Sequence, residues 1–386
     1  MRSIELFAGA GGLALGTAKA GFAHDLVAEW NPEACQTLRD NRKSVPEMKG
    51  WNEIHEGDVR KLEYGRFEGK LDLVAGGPPC QPFSLGGKHR AFLDDRDMFP
   101  EAVRAVRESR PKTFIFENVK GLLRQSFSTY FEYIILQLNY PDVVRKGNEQ
   151  WQDHQRRLER VHTGGRHEGL RYNVVFRLLN AADQGVPQRR ERVFIVGFRS
   201  DLGREWSFPK ATHSKEALLR SKWVTGEYWD RHGVSTKRRG AKPALFKRTV
   251  DSLKDNPKAF LEPWRTVRDA IADLPALGGN RLYTGVANHE FMAGAKAYQG
   301  HTGSPLDEPA KTLKAGDHGV PGGENMLARR DGSVRYFSVR ESARIQTFPD
   351  DYKFSGPWTE CMRQLGNAVP VLLGRAVAAS VAAGMA

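Results

Sequence analysis

Residues 3–14 read SIELFAGAGGLA, and this stretch decides the fold of the N-terminal half. An apolar, strand-like run at 3–7 passes through a cluster of glycines into a helical pattern, which is typical of a strand, a tight turn and a helix. Further short apolar runs at 25–29, 71–75, 113–117, 174–179 and 193–198 alternate with amphipathic stretches at 32–41, 100–109 and 129–138. This alternation predicts an α/β fold with a doubly wound, mostly parallel sheet.

Four candidate site positions fall where predicted strands end. They are Phe7, Glu29, Ala75 and Glu117. Ligands bind at the carboxyl ends of strands in such sheets. We therefore expect these four positions to converge on one rim of the sheet and to mark the site.

The glycine-rich turn indicates a cofactor site. Gly9, Gly11 and Gly12 let a ligand approach the backbone, and Glu29, about twenty residues further on, can accept hydrogen bonds from two ribose hydroxyls. The pattern alone also fits a dinucleotide fingerprint, so an NAD-dependent dehydrogenase is an open alternative at this point. Neither observation identifies the cofactor.

Two further side chains near this turn are candidate cofactor contacts. Trp30 offers a flat face for an adenine ring, and Asp58 offers an acceptor for an exocyclic amino group. Core packing for Trp30 and turn formation for Asp58 are the alternative interpretations.

The run at 76–84, GGPPCQPFS, surrounds Cys80 with prolines, and Glu117 follows 37 residues after the cysteine. Prolines fix their own φ and restrict the preceding residue, so the thiol is held in one direction. A held thiol beside a carboxylate indicates a nucleophile, and a buried structural cysteine is the alternative.

Composition indicates an intracellular protein that binds a polyanion. The chain has 386 residues and three cysteines, Cys35, Cys80 and Cys361, too few for a disulfide framework and typical of a reducing compartment. No apolar run approaches the ~20 residues that span a bilayer, so we expect a cytoplasmic protein with no membrane partner. The net charge is +13, and residues 199–335 hold 24 Lys and Arg against 16 Asp and Glu. This excess predicts nucleic acid as the partner.

Composition also suggests how the chain is organised. From 199 to 335 the strand and helix alternation gives way to Gly, Pro and basic clusters, which we interpret as a second, smaller domain. Residues 145–168 are polar and predict an exposed helical insertion. Residues 370–386, rich in Ala and Val, predict a helix that packs closely on the first domain.

Taken together, these motifs resemble the cytosine-C5 DNA methyltransferases, in particular those of bacterial restriction-modification systems. Eight segments match in order, and they cover nearly the whole chain: 7–11, 29–30, 57–58, 79–84, 117–119, 188–192, 340–344 and 364–369. The resemblance implies a catalytic domain formed by residues 1–198 and 336–386, and a target-recognition domain at 199–335.

The resemblance also implies the chemistry and the cofactor, S-adenosyl-L-methionine. Cys80 would attack C6 of cytosine, Glu117 would hold a proton at N3, and Arg192 would bind O2, with Arg190 orienting the site. No metal is required, and the sequence shows no cluster of metal ligands. The implied cofactor-binding residues are Phe7, Gly9, Gly11, Gly12, Glu29, Trp30, Asp58, Asn367 and Val369.

Double-stranded DNA is the implied partner, and a cognate restriction endonuclease acting independently is a second. A base stacked in a duplex cannot be attacked at C6, so it must be flipped out. The glycine-containing stretch at 84–90 is expected to close over the flipped base. The expected DNA contacts are Ser84, Lys88, Arg90, Arg189, Thr312 and His318.

Two rivals remain within this resemblance. A tRNA cytosine methyltransferase would share Cys80 and Glu117, although the large basic domain favours duplex DNA. A non-catalytic DNA-binding protein on the same scaffold is disfavoured because both residues are present.

Overall fold

The computed structural model describes residues 1–79, 97–165, 167–240, 242, 246–277, 285–299, 301–315 and 323–386. Over this part the chain divides into two compact units. The first comprises Met1–Leu179, Glu191–Phe208 and Gly374–Ala386, and the second comprises Asn180–Arg190 and Pro209–Leu373.

A seven-stranded sheet forms the centre of the first unit, in the order β3-β2-β1-β4-β5-β7-β6. Strands β1 to β5 pair in parallel, and β7 pairs antiparallel with β5. The predicted α/β class and mostly parallel sheet are confirmed. The strands are β1 (Arg2–Leu6), β2 (Ala23–Glu29), β3 (Glu53–Glu56), β4 (Leu73–Gly76), β5 (Thr113–Val119), β6 (Tyr172–Asn180) and β7 (Glu191–Arg199).

Helices cover this sheet, whose central strands bury apolar residues in consecutive positions. Ile4 and Leu6 of β1 and Phe114 and Phe116 of β5 are fully buried in one hydrophobic cluster. Asn31 caps one helix by accepting a hydrogen bond from the Ala34 amide at 2.8 Å. The helices are α1 (Gly12–Lys19), α2 (Pro32–Arg42), α3 (Phe99–Ser109), α4 (Ser128–Asn139) and α5 (Trp151–Gly164).

The insertion predicted at 145–168 is helical, but α5 is not exposed on every side. His154 and Leu158 are buried, and the His154 Nδ1 atom lies 2.7 Å from the Tyr133 hydroxyl of α4. Because this face packs on α4, the insertion is part of the first unit's core.

The second unit is built from short helices and two small sheets. One apolar cluster joins Val267, Ile271, Leu313, Leu327 and Phe337, among others. The helices are α6 (Lys215–Trp223), α7 (Glu227–Arg231), α8 (Phe246–Leu253), α9 (Val267–Ile271), α10 (Val339–Ile345) and α11 (Trp358–Asn367). The sheets pair β8 (His213–Ser214) with β9 (Glu262–Pro263), and β10 (Ser304–Pro305) with β11 (Met326–Ala328) and β12 (Val334–Tyr336).

The boundaries drawn from the sequence differ from these compact units. Residues 336–373 and 180–190 group with the second unit, whereas we expected both in the catalytic domain. The physical reason is burial, since Phe337 and Ile345 pack into the cluster that contains Val267 and Leu327.

The C-terminal helix, α12 (Val371–Met385), packs closely, as its small residues predict. A Cβ atom on Gly374 would lie 3.2 Å from Leu13 Cδ1, and Trp206 donates a hydrogen bond to the Ser380 carbonyl at 2.9 Å. In the described residues, one stretch, Trp358–Met385, could cross a membrane by length and composition alone. It consists of α11 and α12, and half of its most apolar window is buried, so it is weak evidence for a span.

A buried ion pair fixes the start of α10. Arg335 and Glu341 form two hydrogen bonds of 2.7 and 2.6 Å, and their side chains are only 10% and 3% exposed. Glu341 also accepts the Ser338 amide at 2.9 Å, completing a capping box.

We expect Glu341→Gln to destabilise the protein by about 3–5 kcal/mol, because it leaves Arg335 buried without a counter-charge. The matched control is Glu56→Gln in the Arg39–Glu56 pair, which is 42% and 36% exposed and should cost less than about 1 kcal/mol. Urea unfolding measures both variants. Equal losses would show that burial does not determine the strength of these pairs.

Candidate active site

The turn after β1 places backbone amides at the rim of the sheet. Phe7, Gly9 and Gly11 all have positive φ, of 56°, 53° and 79°. This conformation suits glycine, whereas Phe7 is held there against its preference. The Gly11 amide donates to the Ala8 carbonyl at 2.9 Å, and Gly12 then begins α1. The predicted strand, glycine turn and helix are confirmed.

Glu29 ties the end of β2 to this turn. One carboxylate oxygen accepts the Gly9 amide at 2.7 Å, and the other accepts the amides of Trp30 and Asn31 at 2.9 and 2.8 Å. The Glu29 side chain is buried, and the Trp30 side chain beside it is 73% exposed. A fixed carboxylate next to an open indole face fits a ribose and its attached base.

Asp58 reaches the same rim from the next strand, since Glu29 pairs with Glu56 at the ends of β2 and β3. Its carboxylate already accepts hydrogen bonds from the Arg60 side chain at 2.8 Å and the Arg60 amide at 2.9 Å. These bonds lower the pKa of Asp58. Its contact with an adenine amino group stays a prediction.

Glu117 and Arg192 form a buried ion pair at the ends of β5 and β7. Arg192 Nε lies 2.7 Å from Glu117 Oε1, and the two side chains are 13% and 10% exposed. Antiparallel pairing brings them together, because Val119 lies opposite Arg192 and Glu117 lies opposite Phe194. Burial lowers the pKa of Arg192, and the Glu117 charge opposes this shift. A carboxyl group and a guanidinium therefore face one small volume.

Gly77 leaves the space that the Glu117 carboxylate occupies. A Cβ atom on Gly77 would lie 3.2 Å from Glu117 Oε2, while one on Gly76 would lie 2.5 Å from the Leu6 carbonyl oxygen. A side chain at Gly76 would therefore collide with the β1 backbone, and one at Gly77 would crowd the Glu117 carboxylate. The sequence displayed both residues but gave no sign of these neighbours.

Asn118 connects β5 to the chain just before Cys80. Its amide nitrogen donates to the Pro78 carbonyl at 2.9 Å, and its oxygen accepts the Val119 amide at 2.9 Å. This bond fixes the backbone two residues before the predicted nucleophile. Cys80, Ser84, Lys88, Arg90 and His318 lie outside the described residues.

Glu5 is a carboxyl group that sequence reasoning missed. It is 1% exposed, and its Oε2 atom has no hydrogen-bond partner among the described residues. Burial, and then the charge of Glu117, raise the pKa of Glu5 well above its usual value. Register places Glu5 beside Ala75 and Ala75 beside Ile115, two residues before Glu117. The sequence feature that could have identified Glu5 is the presence of a charged residue inside an apolar strand.

The Arg190 side chain forms hydrogen bonds with the backbone of the second unit. It is fully buried, and its guanidinium donates to the carbonyls of Leu313 and Gly366 at 2.8 and 2.6 Å. Nearby, the Gln188 side chain accepts the Leu313 amide at 2.9 Å and donates to Gln346 at 3.1 Å. These contacts indicate that Arg190 positions the segment containing Leu313.

Arg189 and Thr312 lie in the same network. The Arg189 amide donates to the Ala310 carbonyl at 2.8 Å, and the Thr312 hydroxyl donates to the Arg189 carbonyl at 2.8 Å. The Arg189 side chain is exposed. Of the two remaining cofactor candidates, Asn367 ends α11 with an exposed side chain, and Val369 is buried in the second unit.

Comparisons with known proteins agree with this geometry. The family model for C-5 cytosine-specific DNA methylases matches residues 1–141 and 151–383. The chain is 34% identical to the Type II methyltransferase M.Eco47II of Escherichia coli, over 98% of this chain and 78% of that protein. It is 32% identical to the Type II methyltransferase M.NgoMIV of Neisseria gonorrhoeae, over 97% and 95% of the two chains.

A solved structure supports the fold. The S. pombe Dnmt2 methyltransferase aligns with a TM-score of 0.55 at 18% identity, covering 98% of this chain and 96% of that one. The chain therefore belongs to the C-5 cytosine-specific DNA methylases. It is an S-adenosylmethionine-dependent enzyme that methylates cytosine C5 in DNA. This membership excludes the NAD-dependent dehydrogenase that the glycine turn alone allowed.

The rim of the first unit fits that cofactor. The glycine turn lets a ligand approach the backbone closely, and Glu29 is fixed by a hydrogen bond to that turn. The Trp30 ring beside it is exposed. In the described part of the chain, no group of three or more His, Cys, Asp or Glu side chains is arranged to hold a metal ion.

Gly77→Ala should lower kcat by about tenfold, because the new methyl group displaces the Glu117 carboxylate by a few tenths of an ångström. Gly65→Ala is the control, since a Cβ atom there meets nothing within 4 Å. Methyl transfer and the unfolding midpoint should be measured for both variants. Unchanged turnover in Gly77→Ala would show that Glu117 tolerates displacement.

Glu5→Gln should make stability less dependent on pH. The folded-state pKa of Glu5 is raised, so folding favours its protonated form, and the wild type loses stability as pH rises above the unfolded pKa of about 4.5. Below that pH both side chains are neutral and the two proteins should match. Unfolding midpoints from pH 4 to pH 8 test this, and a stability difference that stays constant with pH would contradict it.

Proposed function

We propose that this enzyme methylates a flipped cytosine within a specific sequence of duplex DNA, through a transient covalent bond between Cys80 and C6 of the base. The observation that carries the proposal is the buried pair of Glu117 and Arg192 at 2.7 Å, facing the strand end that leads to Cys80. The class of the enzyme follows from its family, and the roles of these residues are what we propose.

The pair matches one edge of cytosine. N3 and O2 are adjacent ring positions, and attack at C6 pushes negative charge onto both. As the base enters, Glu117 takes up a proton from solvent and holds it at N3, and Arg192 donates to O2, so both stabilise charge that develops during the reaction. In the free protein the two side chains neutralise each other, which keeps both in place before the base arrives.

Cys80 starts and ends the cycle. Its thiolate adds to C6, which makes C5 nucleophilic. When bound, S-adenosylmethionine supplies the methyl group as an electrophile. Loss of the C5 proton and expulsion of Cys80 then release 5-methylcytosine. Asn118 supports this step because it holds the Pro78 carbonyl two residues before the thiol.

Cofactor binding falls to the rim of the first unit. The Gly9 and Gly11 turn offers backbone contacts, Glu29 accepts from the ribose hydroxyls, and Trp30 stacks on the adenine. Asp58, Phe7 and Gly12 complete the proposed set in this unit, and Asn367 and Val369, which belong to the second unit, stay assigned to the cofactor from the sequence alone. The side chains of Glu29 and Trp30 support it best, because one is immobilised and the other is open.

Sequence selection is assigned to the second unit. Its segment at 307–315 is held by Gln188 and Arg190, which positions Thr312, and Arg189 is exposed beside it. Thr312 already donates to the Arg189 carbonyl, so we assign its hydroxyl a supporting role first and a DNA contact second. His318 and the 84–90 stretch remain assigned to DNA from the sequence.

The biological setting follows from the relatives, which are named Type II methyltransferases. We infer that the chain modifies DNA in the cytoplasm as one half of a restriction-modification system, with an endonuclease that acts independently. Membership of the C-5 cytosine-specific DNA methylases favours duplex DNA over tRNA as the substrate, and the positive charge of 199–335 suits a nucleic acid of either kind.

The test is covalent trapping on duplex DNA in which 5-fluorocytosine replaces cytosine, because fluorine at C5 cannot leave as a proton does. With tritiated S-adenosylmethionine, a denaturing gel should show a labelled protein–DNA adduct for the wild type and none for Cys80→Ala. Glu117→Gln should slow adduct formation by about 10²–10³.

Cofactor binding by Cys80→Ala, measured calorimetrically, controls for folding. An adduct that persists in Cys80→Ala would refute the nucleophile. An adduct with 5-fluorocytosine tRNA and none with duplex DNA would move the substrate to RNA.

A further inference from the structure

The residues that follow β3 form a short turn that carries Asp58. We call residues 58–62 the 58–62 segment, and it contains one turn of 3₁₀ helix, Val59–Lys61. Asp58 caps this turn, because its carboxylate accepts the Arg60 amide at 2.9 Å. A turn of three residues has few internal hydrogen bonds, so its conformation depends on contacts from other elements.

The chain just before Asp58 is anchored to the sheet. The Gly57 amide donates to the Glu29 carbonyl at 2.9 Å, which continues the pairing of β2 with β3. This bond fixes the residue before Asp58 to the strand end that carries Glu29. The residues after Asp58 belong to no strand, so their carbonyls need partners from another element.

Arg104 of α3 supplies these partners. Its guanidinium donates to three carbonyls of the 58–62 segment, those of Val59 at 2.9 Å, Leu62 at 3.0 Å and Arg60 at 3.3 Å. The Tyr64 hydroxyl donates to the same Val59 carbonyl at 3.2 Å, and the Arg104 guanidinium lies 4.6 Å from the centre of the Tyr64 ring. One side chain therefore connects most of the segment to α3.

Two carboxylates of α3 orient the Arg104 guanidinium. Its Nε atom donates to Glu101 at 2.7 Å, and its Nη1 atom donates to Glu108 at 3.1 Å. The Arg104 side chain is 19% exposed. Because a guanidinium is planar and each of its three nitrogens has a partner here, its orientation is fixed. The segment is thus bonded to a rigid donor on a helix.

We propose that Arg104 is a positioning residue for cofactor recognition, which holds the 58–62 segment so that Asp58 stays where it accepts the exocyclic amino group of the adenine. The inference rests on the proposed cofactor role of Asp58 and extends it to a residue that does not touch the cofactor. Without the Arg104 fork, the turn loses the partners of three carbonyls, Asp58 moves, and the amino group loses its acceptor. A purine without that amino group has nothing to lose.

The experiment measures calorimetrically how each variant of the full chain binds two ligands. One is S-adenosylhomocysteine, and the other is its purine riboside analogue, in which hydrogen replaces the exocyclic amino group. Arg104→Lys keeps the positive charge and loses the planar fork. Tyr64→Phe loses only the hydroxyl that is bonded to the Val59 carbonyl.

The matched control is Arg107→Lys on the same helix. Arg107 pairs with Glu108 at 3.8 Å, and within the described residues it makes no hydrogen bond to the 58–62 segment. The unfolding midpoint of every variant is measured as a check on folding. Asp58→Ala is included to test the cofactor contact itself.

The wild type should bind S-adenosylhomocysteine about tenfold more tightly than the analogue, because a hydrogen bond to a carboxylate contributes about that factor. Arg104→Lys should lose most of this preference by weakening S-adenosylhomocysteine alone, and Tyr64→Phe should reduce it by about twofold. Arg107→Lys should match the wild type. A purely structural role would lower the unfolding midpoint or weaken both ligands equally, so an unchanged preference in Arg104→Lys would overturn the proposal. If Arg104→Lys does not fold, an unchanged preference in Tyr64→Phe would overturn it.

The Asp58→Ala arm separates this proposal from the proposed function. If Asp58→Ala loses the preference for the amino group while Arg104→Lys and Tyr64→Phe keep it, only the role of Arg104 fails. If the wild type shows no preference, or Asp58→Ala retains it, the cofactor role of Asp58 fails and that of Arg104 fails with it.

Discussion

The buried ion pair of Glu117 and Arg192 depends on an antiparallel strand in an otherwise parallel stretch of sheet. β7 runs antiparallel to β5, so the start of β7 meets the end of β5 and the two opposite charges form a salt bridge at the rim of the sheet. Desolvating both groups is costly unless they pair. The position of the pair also constrains its neighbours. Gly77 must lack a side chain to leave room for the Glu117 carboxylate, and Asn118 must hold the Pro78 carbonyl. Two residues before Arg192, Arg190 holds the backbone at Leu313 and Gly366.

The sequence predicted the architecture well where local pattern and tertiary packing agree. The runs ending near Phe7, Glu29, Ala75 and Glu117 are strands whose ends form one rim. β3 escaped notice because its four residues, EIHE, are mostly polar, and it became a strand by pairing with β2. The compact units divide the chain at other positions than the predicted boundary at 336, because motif order says nothing about packing. Phe337 and Ile345 join a core whose other members lie far away in the chain.

The candidate site was predictable in its residue types and not in its contacts. Cys80, Glu117 and Glu29 stood out because each is a reactive or charged group at a strand end or in a rigid turn. Gly77 and Asn118 act through atoms brought near by folding, which no spacing rule reveals. Glu5 is an ionisable residue in an apolar strand, and only its burial in the fold shows that its pKa is raised. Trp30 differs, because its exposure is what supports a stacking role.

The central claim is that Glu117 and Arg192 act as one unit on one base. A double-mutant cycle on the rate of covalent trapping tests it most directly, using wild type, Glu117→Gln, Arg192→Met and the double variant on a single 5-fluorocytosine duplex at saturating cofactor. Groups that stabilise the same developing charge should be strongly non-additive, so the double variant should trap about as slowly as the slower single variant. Rate losses that multiply to within about twofold would show that the two side chains act independently, and would contradict the account.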